Sequence, residues 1–251
     1  MKKILYIEDE IVKNIELIIN IFEKFIGKEL IKEIKLLKDD ESGFGISAKE
    51  IKEIINKSEI IEIVDNFKDA LEIFECKSDD YSVFIVDRNL SEQIYHLTDL
   101  TAIDKNFTEQ MLNKYKSSEG DYLLEKLFNK TTNVLTKFYF LSANSPTELK
   151  FKTLNIENHI EQKRFSYDNF IEKTETKKVI KIMNDNKLIT TQFENKEFLV
   201  ILKNQINSSI EVKFIDLFFE NDIEKSLALI RVILETILHT IDSKHNIVTT
   251  L

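Results

Sequence analysis

The chain has 251 residues, with 35 Lys and Arg against 44 Asp and Glu, a formal charge of −9 and 43% hydrophobic residues. Such a chain can pack one large core or two small ones and is not globally disordered. Its acidic balance excludes a general affinity for nucleic acid or anionic membrane, because no basic patch reverses the field; Lys32, Lys35 and Lys38 alternate with Glu29 and Glu33 as a solvated helix face.

Cys76 is the single cysteine. It excludes an internal disulfide and a cysteine-based zinc set, fits a reducing compartment, and is expected to be an inert, buried or half-buried thiol. The opening apolar run ends at Ile7, where Glu8, Asp9 and Glu10 follow, so it is too short for a signal peptide. No apolar run reaches the roughly 18 residues of a membrane span. A cytoplasmic location without a membrane partner is expected.

Apolar runs and helical periods alternate in chain order. Ile4–Ile7 reads as the first buried strand, and Ile11–Leu37 as a long helical stretch. A loop containing Asp39, Asp40 and Gly43 to Gly45 follows. Ser47 opens a short helix to Asn56, with Glu50 three residues on as a capping box. Ile60–Val64 is the second strand and Phe67–Phe74 the next helix. Val83–Val86 is the third strand, Gly120–Phe128 a helix, and Phe138–Leu141 the fourth strand. Pro146 opens a helix over Thr147–Leu154, His159–Gln162 is a weaker fifth strand, and Tyr167–Glu175 a last helix. This alternation predicts an α/β domain with a parallel sheet. Beyond about residue 176 the pattern becomes mainly helical. It includes Asp222–Ile241, with Ile223, Leu227, Ile230, Leu234, Ile237 and Leu238 on one broad face.

Chemistry-bearing residues fall at the carboxyl ends of these strands, the edge where parallel sheets bind ligands. Glu8 and Asp9 follow the first strand, Asp87 the third, Ser142 the fourth and Lys163 the expected fifth. Paired carboxylates suit Mg²⁺, which takes one or two carboxylates plus water and phosphate oxygens. An Asp nucleophile suits acyl-phosphate formation, with a hydroxyl and an ammonium to bind the phosphate. The backbone carbonyl of Asn89 is placed to complete a metal shell.

The segments Ile4-Leu5-Tyr6-Ile7-Glu8-Asp9-Glu10, Val83-Phe84-Ile85-Val86-Asp87-Arg88-Asn89-Leu90 and Leu141-Ser142-Ala143 resemble the motifs of bacterial response-regulator receiver domains. Gly120-Asp121-Tyr122-Leu123-Leu124 and Asp69-Ala70-Leu71 are similar to parts of that family's helices. The resemblance implies a flavodoxin-like, doubly wound, five-stranded parallel sheet of order 2-1-3-4-5 over residues 1–175. It implies Glu8 and Asp9 as the acidic pair, Asp87 as phospho-acceptor, Ser142 as switch hydroxyl and Lys163 as phosphate-binding lysine. Mg²⁺ is the implied cofactor, with Glu8, Asp9, Asp87 and the Asn89 carbonyl around it. The implied partner is a histidine kinase or phosphotransfer protein. The chain departs from the family where Arg164 replaces a proline after the lysine, Ile160 stands three before it in place of an aromatic residue, and Ser91 replaces a proline after the acceptor loop. Insertions are expected at about 25–56 and 92–118.

Residues 176–251 are expected to form an output region acting through protein contacts, including a homodimer through the last helix. They hold no helix-turn-helix with a basic face, so DNA binding is not supported. Two alternatives are a pseudo-receiver that is not phosphorylated and only binds partners, and a receiver that regulates a C-terminal helical effector, whose Arg231 and His239 vaguely resemble the arginine and histidine of HEPN-type nucleases but stand farther apart.

Overall fold

Five parallel strands in the order β2-β1-β3-β4-β5 form the centre of a computed structural model that describes residues 2–38, 46–90, 95–131, 134–143 and 156–245. This is the fold class expected from the sequence. Contacts divide the chain into a unit from Lys2 to Asp185 and a second from Asn186 onward. The expected helix over Thr147–Leu154 and the loop at 39–45 lie outside the described residues.

In the first unit, β1 (Lys3–Ile7) is followed by α1 (Ile15–Ile26) and α2 (Lys28–Lys38). One continuous helix was expected there; Gly27, at φ 84, breaks it in a backbone conformation that glycine adopts at no steric cost. Next comes α3 (Ala48–Asn56), whose Ser47–Glu50 capping box forms as expected: Ser47 Oγ accepts from Glu50 N at 3.3 Å and Glu50 Oε2 from Ser47 N at 2.9 Å. The chain continues through β2 (Ile61–Val64), α4 (Phe67–Cys76), β3 (Tyr81–Val86), α5 (Leu97–Ile103), α6 (Glu109–Lys114) and α7 (Glu119–Lys130). It ends with β4 (Phe138–Ser142), α8 (Ile156–Glu161), β5 (Phe170–Glu172) and α9 (Thr176–Asp185).

The last third of this unit differs from the sequence expectation in two places. Residues 159–162 belong to helix and turn, not to a strand, and the fifth strand is Phe170–Glu172, inside the stretch expected to be helical. Strand β5 pairs with β4 through Phe140↔Phe170 and Leu141↔Ile171, so position beside β4 selects an extended chain over weak local helical periodicity. The contact division falls after α9, which packs on α1.

Alternation in β1 distributes its side chains to both sheet faces. Leu5 and Ile7 join Phe84, Val86, Phe138 and Phe140 under α4 and α7, whereas the Tyr6 ring meets Phe22 of α1 edge-on at 5.3 Å. Helices α5 and α6, in the expected insertion at 92–118, are part of this core: Leu100, Phe107 and Tyr115 are buried with Tyr122 of α7. Buried Asp104 accepts from Tyr122 Oη at 2.5 Å and pairs with Lys126 at 2.5 Å, tying the insertion to α7. Cys76, expected to be at least half-buried, is exposed at the end of α4.

The second unit contains α10 (Lys187–Glu194), α11 (Lys196–Ile201) running into a π turn at Leu202–Ile206, α12 (Ser208–Leu217) and α13 (Ile223–His245). Its small core is Leu199, Leu202, Ile210, Ile215 and Ile233. No helix among the described residues is long and apolar enough to cross a membrane.

Candidate functional site

Strand β1 delivers Glu8 and Asp9, and β3 delivers Asp87, to one end of the sheet. The register carries past the strands: Glu8 N donates to Val64 O at 3.0 Å and Asp87 N to Ile7 O at 2.8 Å. Donor oxygens of Glu8, Asp9 and Asp87 all lie within 4.8 Å of one another. The three acids named from the sequence therefore converge.

Lys173 closes the group. It follows β5, and its Nζ lies 2.6 Å from Glu8 Oε2 and 2.6 Å from Asp87 Oδ2. Its backbone N–H donates to Ser142 O at 2.8 Å, which fixes the end of β5 against the end of β4. Ser142 is buried there, as the last residue of β4. Glu8 also accepts from Tyr6 Oη at 3.2 Å and, through Oε1, from Glu10 N at 3.2 Å. Asp87 Oδ1 accepts from Asn89 N at 3.3 Å, while Asn89 itself is exposed.

Lys163, named from the sequence as the site lysine, is not the residue bonded to Asp87. It is exposed, at φ 56, in the turn that ends α8. The lysine at the site was missed because β5 has only three residues. A signal was nevertheless present: Phe170 stands three before Lys173, the aromatic spacing that Ile160 fails to supply before Lys163. Phe170 is buried and stacked on Phe140, centroids 5.0 Å apart. His159 instead stacks on Phe128 at 3.7 Å, and burial followed by the Arg164 charge holds its imidazole below the ordinary range.

Burial raises the pKa of Glu8, and the neighbouring Asp87 charge adds to the rise. Asp87 is also raised by burial, against the lowering effect of Lys173. Lys173 is pushed down by burial but lifted more strongly by Asp87 and Glu8, so its ammonium is retained. Among the described residues three carboxylates meet here beside the Lys173 ammonium, an oxygen donor set that could hold Mg²⁺.

The loop after β3 is held from behind by the start of α7. A Cβ on Gly120 would meet Asp87 O at 2.7 Å and Arg88 Cα at 3.0 Å, so no other residue allows this approach without a shift. Gly120 N donates to Arg88 O at 3.0 Å. The Arg88 guanidinium grips fully buried Asp121 with two bonds of 2.8 Å. Glu119 accepts from Leu90 N at 3.1 Å and Ser117 N at 3.0 Å. Tyr95 Oη accepts from Phe67 N at 2.8 Å and donates to Leu90 O at 3.0 Å, linking the loop to α4. The resemblance singled out Gly120-Asp121 without giving either residue this role.

Arg231 and His239 are both exposed on α13, and Arg231 is paired with Glu235 at 2.7 Å. Comparison with protein-family models, with curated proteins and with solved structures finds no match to this chain.

Proposed function

We propose that the first unit is an atypical receiver of two-component signalling, in which Asp87 accepts a phosphoryl group from a histidine kinase, a phosphotransfer protein or a small phosphodonor. The observation that carries this reading is the convergence of Glu8, Asp9 and Asp87 within 4.8 Å, with Lys173 bonded to two of them.

Asp87 is the nucleophile: its carboxylate oxygen bonds to phosphorus as the P–N or P–O bond of the donor breaks, and the leaving group departs with that electron pair. Lys173 exchanges its carboxylate partner for a phosphate oxygen, so its charge follows the transferred group. Ser142, at the end of β4, supplies a hydroxyl for the same phosphate. Tyr6 and the Glu10 N–H hold Glu8 in place throughout. The chemistry that Mg²⁺ supplies when held by Glu8, Asp9, Asp87 and the Asn89 carbonyl is withdrawal of charge from the phosphoryl oxygens.

The new phosphate adds a charge of about −1.5 to −2 where one carboxylate stood. That charge biases the Lys173 and Ser142 ends of β5 and β4, and the second unit passes the change to a protein partner. The test is beryllofluoride with Mg²⁺, a mimic of the acyl phosphate, titrated into the full chain. Saturable binding that needs Mg²⁺ and is lost in Asp87→Asn is the expected result. A folded wild type that binds neither Mg²⁺ nor beryllofluoride makes the domain a pseudo-receiver and ends this proposal.

A further inference from the structure

Helix α13 carries two apolar stripes, and its own unit uses one of them. Ile233 and Ile237 turn toward Leu199, Leu202, Ile210 and Ile215. About a quarter-turn round the helix lie Ile223, Leu227, Ile230, Leu234, Leu238 and Ile241, between 39% and 77% exposed. At 3.6 residues per turn these six occupy about 80° of the circumference along about 27 Å of helix.

We infer that this stripe is the seam of a homodimer, its occupant being the same stripe of a second copy. Three observations favour a second copy over another partner. The first is spacing. Leu227, Leu234 and Ile241 are seven residues apart, as are Ile223 and Ile230, and steps of four and three alternate from Ile223 to Leu234, the pattern by which two helices interlock. The second is area. The stripe offers on the order of 500 Å² of aliphatic surface, as large as the largest patch of a typical monomer, and pairing it twice reaches the roughly 1,000 Å² of a specific interface. The third is charge. In a chain of net −9, α13 sets Glu224, Glu235 and Asp242 against Lys225, Arg231 and Lys244, so two copies meet without net repulsion. A neutral helix also lacks the Lys- and Arg-rich face of a membrane-surface helix.

With Leu at one heptad position and Ile at the other, a free parallel helix favours assemblies larger than two. Here the neighbouring flank is taken by the helix's own unit, which admits one further helix, so a two-fold axis closes the assembly as a dimer. The proposal does not depend on phosphorylation of Asp87.

The test is sedimentation equilibrium of the full chain across concentration, with far-UV circular dichroism as the folding control. The wild type is expected at twice its 29.5 kDa chain mass at micromolar concentration. Leu234→Glu and Leu227→Lys, at positions 53% and 61% exposed, keep the helical spectrum and weaken association by about a hundredfold or more, because each change enters a symmetric seam twice. Val212→Lys, on α12 and 56% exposed, leaves the dimer intact. A wild type that stays monomeric at 100-fold higher concentration overturns the proposal. So does a dimer that survives Leu234→Glu with Leu227→Lys, or one equally lost in Val212→Lys.

Discussion

Replacing Lys173 by methionine removes an ammonium that Glu8 and Asp87 share, and the structure sets the size of the loss. The three side chains are 15%, 1% and 12% exposed, so water screens them little. Two carboxylates about 5 Å apart repel by about 3 kcal/mol at an effective dielectric of about 20. Breaking a buried ion pair from one side costs about 3–5 kcal/mol. A loss of about 3 kcal/mol at pH 8 is therefore expected, capped because one carboxylate takes up a proton instead. The sign with pH follows from burial, which raises both acids in the fold. The folded state then holds protons that the unfolded chain releases, so this contribution is full below the ordinary carboxylate range and falls as pH climbs through the raised values. The deficit of Lys173→Met should shrink on acidification from pH 8 to 5. It should also shrink with Mg²⁺, because loss of the competing ammonium lets the cation bind the variant more tightly than the wild type, each tenfold in affinity being worth about 1.4 kcal/mol at saturation. Urea unfolding of wild type and variant at pH 5, 6.5 and 8, with EDTA or Mg²⁺, measures all of this. A variant within about 0.5 kcal/mol of wild type at pH 8 refutes the reasoning. A deficit indifferent to both pH and Mg²⁺ does so equally.

Two further outcomes test how the loop after β3 is held. Gly120→Ala gains about 1 kcal/mol in helix propensity but drives a methyl group to 2.7 Å from Asp87 O. Overpacking of about 1–3 kcal/mol outweighs that gain, so the urea midpoint should fall and Mg²⁺ affinity with it; an unchanged affinity measured by calorimetry would remove the packing argument. Asp121→Asn removes the buried charge that the Arg88 guanidinium grips with two bonds beneath the loop. A loss of about 2–4 kcal/mol in chemical denaturation is expected, with Asp121→Glu recovering less than half because the extra methylene enters a fully buried site. Stability equal to wild type in Asp121→Asn would show that the pair positions nothing.

Much of the fold was legible because strands buried on both faces must be short, continuous apolar runs. Ile4–Ile7, Val83–Val86 and Phe138–Leu141 are such runs, and each is followed directly by a residue of the candidate site. The position of Glu8, Asp9 and Asp87 followed from that rule alone: parallel strands β1 and β3 end at the same edge, so residues placed just past them must meet. The Ser47 capping box was readable for a similar reason, since its hydrogen bonds join residues three apart. Local chemistry could not reveal β5. Three residues carry too little periodicity to outbid a helix, and only the open edge of β4 makes Phe170–Glu172 a strand. The site lysine moved with that strand, from position 163 to 173. The grip of Arg88 on Asp121 and the fit of Gly120 against Asp87 span about 33 residues of chain. Contacts between such distant segments leave no period in the sequence; they exist only once α7 has packed on the sheet.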